Sequence, residues 1–136
     1  MITYMLDTNI VIYTLNRRPA VVREQFIQHE GQLCISTVTL MELYFGAEKS
    51  SDPARNSREI EQFVARLELM NYDAAAAAHS GQLRAERQHS GKPIGPYDQM
   101  IAGHARSRGF ILITNNTREF RRVSGLRVEN WARPKA

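Results

Sequence analysis

The chain of 136 residues lacks several features that would assign it to a specialised class of protein. A single cysteine, Cys34, excludes an internal disulfide, and its apolar neighbours favour a buried, reduced thiol. No apolar run approaches the roughly 20 residues of a spanning helix, so no membrane association is expected. No basic segment precedes an apolar one at the start, as in a signal peptide, and we therefore expect a cytoplasmic protein.

Familiar metal and phosphate motifs are also missing. The four histidines do not stand at ligand spacing, and no glycine-rich phosphate loop is present. We therefore expect packed or solvated histidines and no P-loop nucleotide site.

What remains is typical of one globular domain, with 43% apolar and 24% charged residues. We expect this domain to span residues 1–132 and the tail, residues 133–136, to be loose. Short apolar strands alternate with amphipathic helices, which predicts an α/β domain with a mostly parallel sheet. Strands are expected at about 3–6, 33–35, 69–72, 110–113 and 126–128, with Trp131 packed behind the last. Helices are expected at about 8–16, 19–31 (opened by Pro19), 36–49, 53–69, 73–88 and 97–108, with Gly109 as a stop and a short turn around Glu119.

The net charge of +4 comes mainly from arginine, which supplies 15 of the 18 cationic residues. Arginine forms bidentate contacts with phosphate and stacks on bases, so this usage permits a nucleic-acid partner. A GC-rich genome also favours arginine codons, and both explanations remain open.

Aspartate is scarce, and its four positions are informative. Asp52 precedes a proline and Asp73 precedes an alanine run, as helix N-caps do. Asp7 ends the first strand and Asp98 begins a helix with an apolar face, while Glu42 interrupts another apolar run. Right-handed crossovers would bring the ends of parallel strands, and these three acids, to one edge of the sheet.

Converging carboxylates repel one another unless a cation neutralises them. Oxygen ligands of this kind suit Mg²⁺ or Mn²⁺, which polarise phosphoryl oxygens and lower the pKa of an attacking water. Each acid also has an alternative role in capping. Asp7 could cap the next helix, Glu42 stands at capping-box spacing from Thr39, and Asp98 lies in a first helical turn. Their common edge favours metal-dependent phosphodiester hydrolysis over three separate caps.

Four blocks of sequence, in this order, resemble the PIN-domain ribonucleases, and in particular the VapC toxins of bacterial VapBC toxin–antitoxin systems. The blocks are residues 5–9 (MLDTN), 39–43 (TLMEL), 95–105 (GPYDQMIAGHA) and 114–120 (TNNTREF). The resemblance covers nearly the whole chain and implies a three-layer α/β/α sandwich. It also implies an endoribonuclease dependent on Mg²⁺, with Mn²⁺ as a substitute, in which Asp7 and Asp98 hold the metal and Glu42 completes the site.

The same resemblance implies partners. Similar toxins cleave initiator tRNA in the anticodon stem-loop and so inhibit translation. A cognate VapB antitoxin would neutralise the toxin, operator DNA would be bound only through the toxin–antitoxin complex, and the toxin itself would form a homodimer.

One position departs from the usual family pattern. Many PIN domains place a fourth aspartate where this chain has Asn116, which puts a second metal ion in doubt. Glu119, at helical spacing from Asn116, is the candidate replacement charge, so both join the catalytic candidates. Candidate substrate contacts are Thr8, Asn9, Thr114, Arg84 and Arg87.

Other functions stay open. Asn9 stands where a haloacid-dehalogenase phosphatase needs a second aspartate, and no lysine fits a phospho-receiver domain. A nucleic-acid-binding or antitoxin-binding module with a degenerate site is the non-enzymatic alternative, and Asn116 together with the basic charge makes it conceivable.

Overall fold

The computed structural model of the protein describes residues 1–17 and 20–132. Its strands are β1 (Tyr4–Leu6), β2 (Leu33–Ser36), β3 (Glu68–Met70), β4 (Ile111–Ile113) and β5 (Val128–Glu129). Its helices are α1 (Thr8–Arg17), α2 (Ala20–Gln28), α3 (Thr37–Glu48), α4 (Pro53–Val64), α5 (Ala74–His89), α6 (Pro96–Arg108) and α7 (Thr117–Phe120).

The strands form one sheet in the order β3-β2-β1-β4-β5, and every strand pair in it is parallel. β1 is central, with Tyr4 opposite Leu33 on one side and Ile111 on the other. All strands therefore end at the same edge, and the chain enters α1, α3 and the β4–α7 loop there. This confirms the predicted parallel sheet.

Helices cover both faces of the sheet, because successive strand residues point to opposite sides. Met5 and Leu112 pack with α5, α6 and Phe120 of α7. Leu6 and Ile113 pack instead with α1, α3, α4 and Trp131. The result is the expected three-layer α/β/α sandwich.

Several helices begin or end at capping residues that can be recognised in the sequence. The Ser36 hydroxyl accepts a hydrogen bond from Val38 N, 3.1 Å away, and so caps α3. Asp52 and Asp73 cap α4 and α5 as predicted, accepting from the backbone N–H of Arg55 and Ala76. Gly109 ends α6 at φ +70°, a conformation that glycine adopts without strain, which confirms the predicted stop.

Other boundaries differ from prediction. α2 ends at Gln28 rather than near residue 31, and α4 ends at Val64 rather than near residue 69. Arg66 and Leu67 then form tight turns onto Phe63 and Val64, so the chain enters β3 at Glu68, without a glycine or proline to mark the change. β5 begins at residue 128, later than expected, and Trp131 does pack against the core, at 4% exposure.

Two predictions lie outside the described residues, namely that Pro19 opens the second helix and that the tail, residues 133–136, is loose. Among the described helices, none combines the length and the apolar character needed to cross a bilayer.

Candidate active site

Asp7 lies at the C-terminal end of the central strand and is almost completely buried, at 1% exposure. Its Oδ1 accepts a hydrogen bond from Ile10 N over 2.8 Å, so it caps α1. Its Oδ2 accepts a hydrogen bond from the Thr114 hydroxyl over 2.5 Å. The carboxylate is therefore held from two sides, by its own helix and by the end of β4.

Glu42 lies inside α3, one turn beyond the helix start. The predicted capping box with Thr39 is wrong, because Ser36 is the cap and α3 begins at Thr37. The Thr8 hydroxyl donates to Glu42 Oε1 over 2.7 Å, and its oxygen lies 3.2 Å from the Thr39 hydroxyl. Since Thr8 directly follows Asp7, this contact ties Glu42 to the end of β1.

Asp98 lies in the first turn of α6, as predicted, and is half-buried. No residue that the structure describes donates a hydrogen bond to its carboxylate, in contrast to Asp7. In an ordinary capping box, an acid at this position would reach back to the N–H of the N-cap residue, which is Gly95 here.

Glu119 takes that hydrogen bond instead. Its Oε1 accepts from Gly95 N over 3.3 Å, although Glu119 belongs to α7 and lies 24 residues away in sequence. Its Oε2 accepts from Asn116 Nδ2 over 2.9 Å. The α6 helix is thus capped by a side chain of another element, which leaves the Asp98 carboxylate free of the capping role.

Asn116 stands between Glu119 and the strand end. Its backbone N–H donates to the Thr114 hydroxyl oxygen over 2.9 Å. The contacts Glu119–Asn116–Thr114–Asp7 therefore form one continuous chain of hydrogen bonds along the edge of the sheet.

The acids influence one another's ionisation. The pKa of Asp7 is raised to about 6, mainly by burial and to a smaller extent by the charges of Asp98 and Glu42, although the hydrogen bonds from Thr114 and Ile10 N lower it. The pKa of Asp98 is also raised to about 6, mainly by burial and further by the charges of Glu119 and Glu42. Raised pKa values with such causes are characteristic of functional carboxylates.

The donor set fits a hard divalent cation. The charges of Asp98 and Glu42 act on Asp7, and those of Glu119 and Glu42 act on Asp98. Neither ion pair of the described residues, Arg55–Glu59 or Arg106–Glu86, involves these four acids. Within residues 1–17 and 20–132, however, no three carboxylate, imidazole or thiolate groups are placed so that they could hold a metal by themselves. Mg²⁺ usually keeps several waters and binds one or two carboxylates, so a pair of acids would be enough.

The site is an open edge rather than a deep pocket. A cavity of about 400 Å³ lies among α1, α2 and α4, but none of the four acids lines it. A smaller cavity of about 200 Å³ touches Glu42 alone among them. An open acidic edge suits a large substrate that approaches from outside the fold.

The predicted substrate contacts are placed unequally. Asn9 and Arg84 are exposed, whereas Thr8 and Thr114 are buried and hydrogen-bonded to the acids. Arg87 lies beside the loop that precedes Asp98, but its guanidinium already donates to the backbone carbonyl oxygens of Lys92 and Arg122. Its geometry therefore fits the positioning of that loop.

Two features of the site escaped the sequence reasoning. The contact of Glu119 with Gly95 joins residues far apart in the chain, so no local spacing reveals it. The three arginines around Phe120 did leave a signal, the pattern TREFRR at residues 117–122, in which cations flank one buried aromatic residue.

Comparison with known proteins assigns nearly the whole chain to one family. The model of the PIN domain family matches residues 4–126. The tRNA(fMet)-specific endonuclease VapC of Shigella flexneri is 61% identical over 132 residues, which cover 97% of this chain and all of that protein. The protein of the same name from Salmonella typhimurium is 53% identical over 131 residues, 96% of this chain and 99% of that one.

Solved structures of VapBC complexes contain chains with the same fold as this protein. The crystal structure of DNA-bound VapBC from Salmonella typhimurium contains a chain that superposes with a TM-score of 0.94 at 53% identity, covering 96% of this chain and 99% of that one. A chain of VapBC2 from Rickettsia felis, bound to a promoter DNA fragment, superposes with a TM-score of 0.92 at 36% identity, over 96% and 99% of the two chains.

Proposed function

Since the chain belongs to the VapC family of PIN-domain ribonucleases, we propose that it is a metal-dependent endoribonuclease toxin that cleaves tRNA(fMet), the initiator tRNA, in its anticodon stem-loop. Cleavage there would inhibit translation, and we propose that the reaction takes place in the cytoplasm. The observation that carries the proposal is an edge of four carboxylates that form no ion pair with any described residue, in a chain that is 61% identical to an endonuclease of this specificity.

PIN-domain nucleases generally depend on a divalent metal ion. In this chain Asp7 and Asp98 would hold the ion, which we propose to be Mg²⁺, with Mn²⁺ as a substitute. Once bound, it would neutralise the acids, polarise a phosphoryl oxygen of the RNA and lower the pKa of the attacking water.

The protein side chains do the positioning. Thr114 and Ile10 N fix both oxygens of Asp7, and Thr8 orients Glu42 toward the same edge. Glu119 caps α6 so that Asp98 stays available. Asn116 supports Glu119 and supplies a neutral amide where a fourth acid would favour a second ion, so one metal ion per site is proposed.

The partners follow from the relatives. We propose that a cognate VapB antitoxin neutralises this toxin, that the complex binds its operator DNA through the antitoxin, and that the toxin forms a homodimer. The similar VapBC complexes, solved with DNA, support the first two points.

The direct test uses purified, chelator-treated protein with a labelled tRNA(fMet) transcript and an elongator tRNA as the control substrate. We expect cleavage of tRNA(fMet) when Mg²⁺ or Mn²⁺ is restored, none in EDTA, and 5′ ends that map to the anticodon stem-loop. Equal cleavage in EDTA would contradict the metal site. Equal cleavage of both RNAs would contradict the substrate, and binding without cleavage in any divalent ion would favour a degenerate site.

A further inference from the structure

Beside the acidic edge lie three arginines whose side chains make no hydrogen bond or ion pair with any residue that the structure describes. We infer that Arg118, Arg121 and Arg122, together called the arginine turn, bind phosphate groups of the RNA next to the bond that is cleaved. This inference rests on the proposed ribonuclease function and names the surface that holds its substrate.

The first support is the shape of the turn. α7 continues beyond Phe120 as a helical turn, because Arg121 N donates to Thr117 O over 2.9 Å and Val123 N donates to Phe120 O over 3.1 Å. Phe120 is fully buried and Val123 is 3% exposed, so both anchor the turn in the core. The arginines stand at i, i+3 and i+4 and are all exposed, so they share the outward face.

The second support is that these charges are unpaired. In the part of the chain that the structure describes, no carboxylate lies in ion-pair contact with the arginine turn, and none of its side chains makes a hydrogen bond. Like charges three and four residues apart repel one another on a helical turn and destabilise it. The acid within the turn, Glu119, accepts hydrogen bonds from Gly95 N and Asn116 Nδ2, and neither ion pair of the described residues joins it to these arginines. The turn therefore keeps a cationic face, as a phosphate-binding surface requires.

Two arginines whose side chains reach the arginine turn or the residues just after it behave differently. Arg106 donates to the carbonyl oxygens of His79 and Ser124 and pairs with Glu86, so it joins α5 to the following loop. Arg87 donates to the carbonyl oxygens of Lys92 and Arg122. These two guanidinium groups are used inside the protein, whereas those of the arginine turn are available to a ligand.

The third support is position. Glu119, within the same turn, contacts Gly95 N at the start of the Asp98 helix. The hydrogen bonds of Asn116 and Thr114 then lead to Asp7. Arg87 also holds the carbonyl group of Arg122 beside the loop that precedes Asp98. The arginine turn is therefore fastened at two points to the elements that carry the acids.

RNA backbone is the ligand that fits this arrangement. Arginine binds phosphate oxygens in a bidentate manner, and a nuclease must hold a strongly anionic strand against its own carboxylates. A cationic face directly beside an acidic edge meets both needs, because the turn attracts the flanking phosphates and the edge receives the scissile one. An acidic protein segment is the alternative ligand, and the test separates the two.

The test measures equilibrium binding of a labelled tRNA(fMet) transcript to full-length protein carrying Asp7→Asn, over a range of salt concentrations. The variant Arg118→Gln/Arg121→Gln/Arg122→Gln is compared with Arg23→Gln/Arg58→Gln/Arg66→Gln, which removes the same charge from exposed arginines of α2 and α4 and the turn after α4, on the opposite layer. Loss of three phosphate contacts should lower the slope of log K against log salt by about 2 to 3. We expect at least a tenfold loss of affinity, with a much smaller effect in the control.

Thermal unfolding checks that each triple variant is folded. If the arginine-turn variant is not folded, the single variants Arg118→Gln and Arg121→Gln replace it, and each is expected to lower the salt slope by roughly 0.7 to 0.9. An unchanged salt slope in the arginine-turn variant, or an equal loss in the control, would overturn the inference. Normal RNA binding with loss of an antitoxin partner would also overturn it, in favour of a protein ligand. Cleavage of tRNA(fMet) by the protein without any substitution is measured in parallel. If this protein does not cleave RNA, the proposed function is refuted. If it cleaves RNA and the arginine-turn variant still binds RNA normally, only the proposed binding surface is refuted.

Discussion

Asp7 and Asp98 share a pKa raised to about 6 but have opposite surroundings. Asp7 is buried, accepts hydrogen bonds at both oxygens and also caps α1. Asp98 is half-buried, and no described residue donates to it, because Glu119 performs the capping that Asp98 would otherwise perform. One carboxylate is thus fixed by its neighbours, and the other is kept available by a neighbour.

This difference shows that a structural role and a functional role need not exclude each other. Asp7 is a genuine helix cap, as its sequence position suggested, yet its burial beside other acids makes it suited to metal binding. Asp98 lies in a first helical turn, as an ordinary cap-associated acid does, yet a residue from α7 has taken over its hydrogen bond. The difference between the two acids can be tested by substituting each acid and the residues that contact or replace it.

The largest expected effect follows from removing either charge. Asp7→Asn and Asp98→Asn should each reduce RNA cleavage by about a thousandfold, because several kcal/mol of transition-state stabilisation depend on the bound metal. Initial rates on tRNA(fMet) at saturating Mg²⁺ provide the measurement. Asp52→Asn, the same change at the α4 cap outside the site, should leave the rate unchanged. A fully active Asp7→Asn enzyme would remove Asp7 from the site.

The next effect concerns only the fixed acid. Thr114→Val removes the hydroxyl that holds Asp7 Oδ2, and loss of such a supporting contact typically costs about 10- to 100-fold in metal affinity or activity. It should also raise the pKa of Asp7 further, since that hydrogen bond lowers it. Metal titrations and NMR titration of the metal-free protein measure both. Thr14→Val, which removes a hydroxyl bonded within α1, is the matched control and should show neither change.

A smaller effect on activity distinguishes two roles of Glu119, capping of α6 and binding of the metal ion. Glu119→Gln keeps an oxygen acceptor for Gly95 N but loses the charge, whereas Glu119→Ala loses both. If Glu119 acts as the cap of α6, the Gln variant should retain about five times the activity of the Ala variant, since a hydrogen bond between neutral groups contributes roughly 0.5–1.5 kcal/mol. Equal losses in both variants would show that the charge itself is required, as it is for a metal ligand.

The smallest effect is on stability. The pKa of Asp7 is about 6 in the folded protein and 3.8 when unperturbed, so the folded state binds this proton more tightly. The resulting stabilisation is fully present below pH 3.8 and is lost as the pH rises through 6, with an upper limit of roughly 3 kcal/mol. Urea unfolding in EDTA at pH 5 and pH 7.5 should therefore show a smaller difference for Asp7→Asn than for the unmutated protein.

Other groups titrate in the same range, so the comparison between the two proteins is the informative quantity. Burial lowers the pKa of His104, and neutral His104 favours the folded state at higher pH, which opposes the effect of Asp7. Both proteins carry His104, and its contribution cancels in the difference. Identical pH dependence in the two proteins would show that Asp7 has an ordinary pKa.

Much of the fold was predictable because its signals are local. The caps Asp52 and Asp73 and the stop at Gly109 appear where the sequence placed them, and β1, β2 and β4 lie within one residue of their expected bounds. The end of α4 and the bounds of β3 were not predictable, since turns onto Phe63 and Val64 continue the helix gradually and no glycine or proline marks the change. Asp7 and Asp98 were found because aspartate is scarce in this chain, and Glu42 was found because it interrupts an apolar segment.

By itself, the sequence determined the order of the elements, the parallel sheet and the edge at which Asp7, Glu42 and Asp98 meet, because periodicity and the handedness of crossovers are encoded locally. Only the tertiary structure decided what each polar side chain does at that edge. Glu119 reaches Gly95, Thr114 reaches Asp7 and Arg87 reaches Arg122 across 24 to 107 residues of chain. Hydrogen bonds between such distant residues depend on packing, and no spacing in the sequence records which donors already have a partner within the protein.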